Sequence, residues 1–111
     1  MVSAQDILNT EVVKRDANDN FSQAINLFNN TDAIVITDHG KYHGMLLKRT
    51  LMEPTVTLQT KLHTMLSHTP KLTPTTPVKE IARVMVENNV YYLPVIHNDV
   101  LLGIVTADDV V

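Results

Sequence analysis

Residues 91–111 read YYLPVIHNDVLLGIVTADDVV. Two runs of branched and aromatic residues, YYLPVI and VLLGIV, flank His97-Asn98-Asp99. Strand formers on either side of residues that tolerate tight turns predict a β-hairpin. Gly103 interrupts the second run. Thr106 then precedes Asp109 by three residues, the spacing of a helix start in which a hydroxyl and a carboxylate cap the first turn.

The same outline occurs earlier in the chain. AIVIT (33–37), DHGK (38–41) and YHGMLL (42–47) predict a second hairpin, and Gly44 lies 59 residues before Gly103. Each hairpin follows an amphipathic stretch. Phe21, Ala24, Ile25 and Phe28 share the spacing of Val78, Ile81, Ala82 and Met85, 57 residues on, and each set makes one apolar stripe on a helix. Asn20 with Gln23 reads as a capping box, and Thr76 before Pro77 as a capping hydroxyl with proline at the first helical position. Both stretches end in an Asn pair, Asn29-Asn30 and Asn88-Asn89, which suits a helix terminus.

Short extended pieces precede the helices, EVVKR (11–15) and PKLT (70–73). Upstream of these, SAQDIL (3–8) and TKLHTML (60–66) read as helical turns. The pattern is strand, helix, strand, strand, helix, occurring twice, with a first repeat over 1–58 and a second over 59–111. The first repeat's last helix is expected to begin near Lys48 and break before Pro54. The second repeat's last helix is expected to be truncated at Val111. The fold class is α/β (α+β): two β-α-β-β-α repeats packed sheet to sheet, since one repeat alone cannot bury both faces of its sheet. Val35, Ile36, Leu46, Val95, Ile96, Ile104 and Val105 are the expected core.

Composition narrows the function. The 111 residues are 44% hydrophobic, enough for a packed core, and carry a formal net charge of −3. That balance argues against a nucleic-acid binder, which normally shows a basic footprint. There is no cysteine, so disulfides, thiolate metal sites and thiol catalysis are excluded. No apolar run has the length of a membrane helix and no secretory pattern opens the chain, which leads to the expectation of a soluble, cytoplasmic protein without membrane contact. With three glycines, a P-loop or dinucleotide fingerprint is excluded, and no nucleophile elbow is present; the chain reads as a non-enzyme. Five histidines (His39, His43, His63, His68, His97) form no metal-ligand pattern, so no metal site is expected.

The second half, with Pro74, Leu93-Pro94-Val95 and Gly103-Ile104-Val105-Thr106-Ala107-Asp108-Asp109, resembles a cystathionine β-synthase (CBS) domain, and the first half resembles the same family more weakly. The resemblance implies a tandem pair, or Bateman module, with pseudo-twofold symmetry and two clefts, commonly assembled as a homodimer of modules. It implies a regulatory role: binding AMP, ADP, ATP or S-adenosylmethionine and acting on an effector domain or protein outside this chain. The alternative is a ligand-free dimerisation scaffold.

The resemblance also assigns residues. Thr106 and Asp109 complete one cleft, whose opposing wall comes from Val13, Lys14, Arg15, Ala17, Ala33 and Ile34. An adenine would be sandwiched by Ile34 and Ile104, and phosphates met by Lys14 or Arg15. Asp109 is suited to accept both hydroxyls of a ribose, and Thr106 to donate to phosphate; Thr106-x-x-Asp109 also reads simply as a cap. Ala17 and Lys14 depart from the family's usual proline and threonine. The second cleft would hold Met45, Leu47, Thr50, Tyr91 and Tyr92. There Leu47 stands in the place of Thr106 and Thr50 in that of Asp109, so this cleft is expected to be empty, weak or differently selective.

Overall fold

Both hairpins form where the turn residues place them. In the computed structural model, which describes residues 1–52 and 55–110 apart from the side chain of Met52, β2 (Ala33–Asp38) pairs antiparallel with β3 (Lys41–Leu47). β4 (Tyr92–His97) pairs in the same way with β5 (Val100–Thr106). The two registers are copies of each other. Gly44 faces Ile36 and Gly103 faces Val95, and each ladder slips immediately afterwards, at Ile36/Thr37 and at Val95/Ile96. The turns are His39-Gly40 (φ 52° and 78°) and Asn98-Asp99 (φ 52° and 65°). Two central residues with positive φ give the two-residue turn whose twist matches that of the strands.

The leading strands are shorter than expected. β1 is Lys14–Asp16 rather than residues 11–15, and it runs parallel to β2. Residues 70–73 contribute a single parallel bridge, Leu72 to Val95. Val35 donates its N–H to the Val13 carbonyl at 2.8 Å. The residue in Val35's place in the second hairpin is Pro94, which has no N–H to donate.

The two helical stretches differ. α2 (Val78–Asn88) is a regular α-helix that buries Ile81 and Met85. Asn89 ends it at φ 51° in the left-handed conformation, as the Asn pair predicts. Pro77 stands at the cap rather than inside the first turn, its carbonyl accepting the Glu80 and Ile81 N–H groups. The Thr76 hydroxyl instead accepts the Thr73 N–H at 3.0 Å.

The earlier stretch is not an α-helix. It forms two 3₁₀ turns, Phe21–Gln23 and Ile25–Asn29, with the Gln23 side chain accepting the Asn20 N–H at 2.8 Å at its start. The first repeat has two residues fewer than the second between this stretch and its hairpin glycine, the offsets being 57 and 59. A 3₁₀-helix rises about 2.0 Å per residue against about 1.5 Å for an α-helix, so about nine residues reach as far as α2 does with more. Phe21, Ala24 and Phe28 are buried and Leu27 packs half-buried beside them, while Ile25, expected on the apolar stripe, turns out to solvent. Lys48–Met52 is likewise 3₁₀; the expected break before Pro54 and the chain end at Val111 lie outside the described residues.

The chain divides into two compact units, Val13–His68 and Met1–Val12 with Thr69–Val111. The repeats read as 1–58 and 59–111 are thus units of pattern, while packing cuts the chain elsewhere. In the first unit, Ala17, Phe21, Ala24, Phe28, Ile34, Ile36 and Leu46 form an apolar cluster closed by Leu62, from the 3₁₀ turn Leu62–Thr64. In the second, Leu72, Ile81, Met85, Val90, Leu93, Val95 and Val105 cluster around Ala4 of α1 (Ala4–Ile7). Asn9 then pairs with Ile104 through N–H···O bonds of 2.8 and 3.0 Å, as Ser67 pairs with Met45 in the first unit. Of the expected core residues, Ile96 is only half-buried and the rest are buried.

Candidate functional site

Thr106 ends β5 opposite Tyr92, and α3 (Ala107–Val110) follows it at once. One turn later Asp109 folds back on the strand end. Its Oδ2 accepts the Thr106 N–H at 2.8 Å and the Thr106 hydroxyl at 2.9 Å. The Asn9 side-chain amide donates to the same oxygen at 2.8 Å. Three donors therefore converge on one carboxylate oxygen. The capping role that the sequence left open for Thr106-x-x-Asp109 is realised, and the carboxylate also suits the first turn of a helix electrostatically.

Asn9 was not legible in the sequence. No motif marks it, and only the fold brings the ninth residue beside the last turn. Its backbone is fixed by the pairing with Ile104, and its side-chain amide donates to the Ile104 carbonyl at 3.2 Å as well as to Asp109. Gly103 is what lets it lie there: a Cβ on Gly103 would stand 2.4 Å from the Asn9 carbonyl oxygen.

The remaining residues assigned to this site fall in the first unit. Lys14 is exposed, and Val13 packs half-buried against the apolar cluster. Arg15 donates through Nη1 to the Lys14 carbonyl at 2.8 Å and through Nε to the Gln23 carbonyl at 3.3 Å, so its guanidinium ties β1 to the first 3₁₀ turn. Ala17 and Ala33 are buried. Ile34 is fully buried inside the cluster with Phe21, Phe28 and Leu46, and its side chain belongs to the core. Ile104, in the second unit, is 7% exposed.

Of the residues assigned to the second site, Met45, Leu47 and Thr50 belong to the first unit and Tyr91 and Tyr92 to the second. Met45 and Leu47 are buried on β3, and the Thr50 hydroxyl donates back to the Leu47 carbonyl at 2.7 Å. Thr50 also lines a cavity of about 520 Å³ in the first unit, with Thr60, Thr64 and Ser67 among its walls. Tyr91 and Tyr92 instead come together with Thr106, Ala107 and Asp108 around a hollow of about 170 Å³ in the second unit. That is below the roughly 300–1,000 Å³ of ordinary small-molecule pockets. The Tyr91 hydroxyl donates to Asn89 Oδ1 at 3.0 Å.

His39 lies on the first turn with its Nδ1 3.0 Å from Asp38, both in contact with solvent. Among the described residues no three histidine, aspartate or glutamate side chains gather as a metal cluster. No described helix is long and apolar enough to cross a membrane.

The CBS domain family model matches residues 2–54 and again 62–111. No curated protein matches the sequence. Among solved structures, Hypoxic Response Protein I with two coordinated zinc ions superimposes with a TM-score of 0.86 at 24% identity, over 99% of this chain and 97% of that one. A CBS-domain containing protein from Agrobacterium tumefaciens gives 0.83 at 20% identity, over 97% and 90%. The cytosolic domain of the Mg²⁺ channel MgtE in complex with ATP gives 0.84 at 24% identity, over 97% of this chain and 47% of that one. At these identities the likeness is one of fold.

Proposed function

The chain belongs to the CBS domain family as a tandem pair of repeats, and from that premise we propose that it is a regulatory module that binds an adenosine compound (AMP, ADP, ATP or S-adenosylmethionine) through Asp109. One observation carries the reading. The Asp109 carboxylate is oriented by three donors on Oδ2, and this leaves Oδ1 as the acceptor for a ribose hydroxyl. Charge-assisted hydrogen bonds of that kind contribute roughly 1.5–3 kcal/mol each. The first repeat has Thr50 in the equivalent place, its hydroxyl turned to Leu47, and offers no such acceptor. The ATP complex of the MgtE cytosolic domain, which has the same fold, supports an adenine nucleotide as a ligand class. Binding would act by favouring one arrangement of the module over another, with the output passed to a separate domain or protein.

The test is a thermal-shift and calorimetry panel with AMP, ADP, ATP and S-adenosylmethionine. A ligand at about 100 times its dissociation constant adds about 2.7 kcal/mol to stability, which raises the melting temperature by about 10 °C in a domain of this size. Asp109→Ala should remove most of that rise. Its own cost, a lost helix cap, is about 1 kcal/mol. A second reading, a ligand-free dimerisation scaffold, is favoured by the same cap contacts: they give Asp109 a structural use. It prevails if no compound moves the melting temperature and the protein sediments as a tight dimer.

A further inference from the structure

We propose that Asn9 is a positioning residue for ligand binding: its side-chain amide holds the Asp109 carboxylate so that one oxygen stays committed to the protein and the other faces the ligand's hydroxyls. The inference rests on the reading of Asp109 as the ribose acceptor and adds to it a residue from the opposite end of the chain.

Three observations carry it. First, an aspartate side chain can rotate, and two donors from Thr106 approach Oδ2 from the strand end alone. Asn9 adds a third donor from a separate segment at 2.8 Å, which restrains the carboxylate from a second side. Second, Asn9 is itself held. Its N–H and carbonyl both pair with Ile104, its amide also meets the Ile104 carbonyl, and its backbone lies so close over Gly103 that no side chain fits beneath it. A donor on a fixed backbone orients its acceptor better than a flexible one does.

Third, the two repeats act as an internal control. The backbone contact recurs in the first unit, where Ser67 pairs with Met45 as Asn9 pairs with Ile104. There the carboxylate is replaced by Thr50 and the amide by Ser67, whose hydroxyl is too short to reach as an asparagine amide does. The long amide donor and the carboxylate occur together in one unit and are replaced together in the other. If Asn9 served only to join the leading segment to the hairpin, the backbone pairing would suffice, as it does at Ser67.

The prediction concerns which feature of the ligand Asn9 controls. Wild-type protein should bind ATP at least about tenfold more tightly than an ATP analogue lacking the ribose hydroxyls, because the site is built to satisfy them. Asn9→Ala and Asn9→Leu should bring the two affinities to within about twofold of each other, with binding of the dideoxy analogue unchanged. Asn9→Asp, which sets a second carboxylate against Asp109, should weaken ATP binding further and recover as pH falls and the pair takes up a proton. Asn9→Gln, which keeps the amide, should retain part of the preference.

Calorimetry with both nucleotides on each variant reads these out, and the melting temperature without ligand checks folding. A merely structural role would lower the melting temperature and weaken both nucleotides equally; that result overturns the proposal. So does an Asn9→Ala variant that binds ATP more tightly than wild type, which would make Asn9 a competitor for Asp109. If wild-type protein binds neither nucleotide nor S-adenosylmethionine, the functional reading itself falls, and the Asn9–Asp109 bond is a structural clasp only.

Discussion

Gly44 and Gly103 look equivalent in the sequence, 59 residues apart at the same step of two hairpins. Their surroundings separate them. A Cβ at Gly103 would lie 2.4 Å from the backbone oxygen of Asn9 and 2.7 Å from Leu8, whereas the three atoms nearest a Cβ at Gly44 all belong to the Leu66 side chain, at 3.1–3.3 Å. Backbone held by two hydrogen bonds cannot retreat without breaking them; a leucine side chain can shift by a few tenths of an ångström. Gly103→Ala should therefore cost about 2–3 kcal/mol and Gly44→Ala about 1 kcal/mol or less, read from urea unfolding midpoints. Equal costs would mean that the segment around Asn9 is held less firmly than its bonds indicate. Pattern alone identified the glycines as matching, and it had no means of showing that one touches main chain and the other a side chain. Asn9 illustrates the same limit: the Thr106-x-x-Asp109 motif is visible because its spacing is local, while the third donor on that carboxylate is 100 residues away.

At the scale of elements, the two Asn pairs make the corresponding case. Asn29-Asn30 and Asn88-Asn89 both read as helix ends. Asn89 sits at φ 51° and closes an α-helix, while Asn30 sits at φ −122° after a 3₁₀ turn. An alanine in the left-handed region carries a penalty of about 1–2 kcal/mol, and one at φ −122° carries none. Asn89→Ala should destabilise by about 1 kcal/mol or more, Asn89→Gly should be neutral or mildly stabilising, and Asn30→Ala should leave the melting temperature within about a degree or two of wild type. A comparable loss at both positions would refute this account. Strands and turns were the legible elements, since alternation and turn chemistry are local and both hairpins carry strong signals. The 21–30 stretch reads as an α-helix because Phe21, Ala24 and Phe28 keep the i, i+3 and i+7 inward positions of one, although the chain runs through two 3₁₀ turns there. Ile25 decides between them, and its outward position is visible only in three dimensions.

For the whole molecule, the fact beyond the reach of periodicity is which segment covers which hairpin. Sequence shows SAQDIL (3–8) and TKLHTML (60–66) as helical turns, but not what they pack against. The compact units show that residues 1–12 complete the unit built on the second hairpin, while residues 61–68 stay with the first. Ala4 is fully buried among Ile81, Leu93 and Val95, and the leading segment is bound by Ala4 to Thr76, Gln5 to Pro74 and Asn9 to Ile104, at 2.8–3.0 Å. Removing residues 1–9 should therefore loosen one unit selectively. Amide hydrogen exchange reads this at bonds the deletion does not touch. The Leu72 N–H, bonded to Pro94, and the Ile96 N–H, bonded to Leu72, should exchange at least about tenfold faster, because the cluster behind them has lost Ala4. The Val35 N–H, bonded to Val13, and the Ser67 N–H, bonded to Met45, should keep their protection. If all four amides quicken together, the two units open as one cooperative block, and residues 1–9 stabilise the entire chain rather than the second hairpin alone.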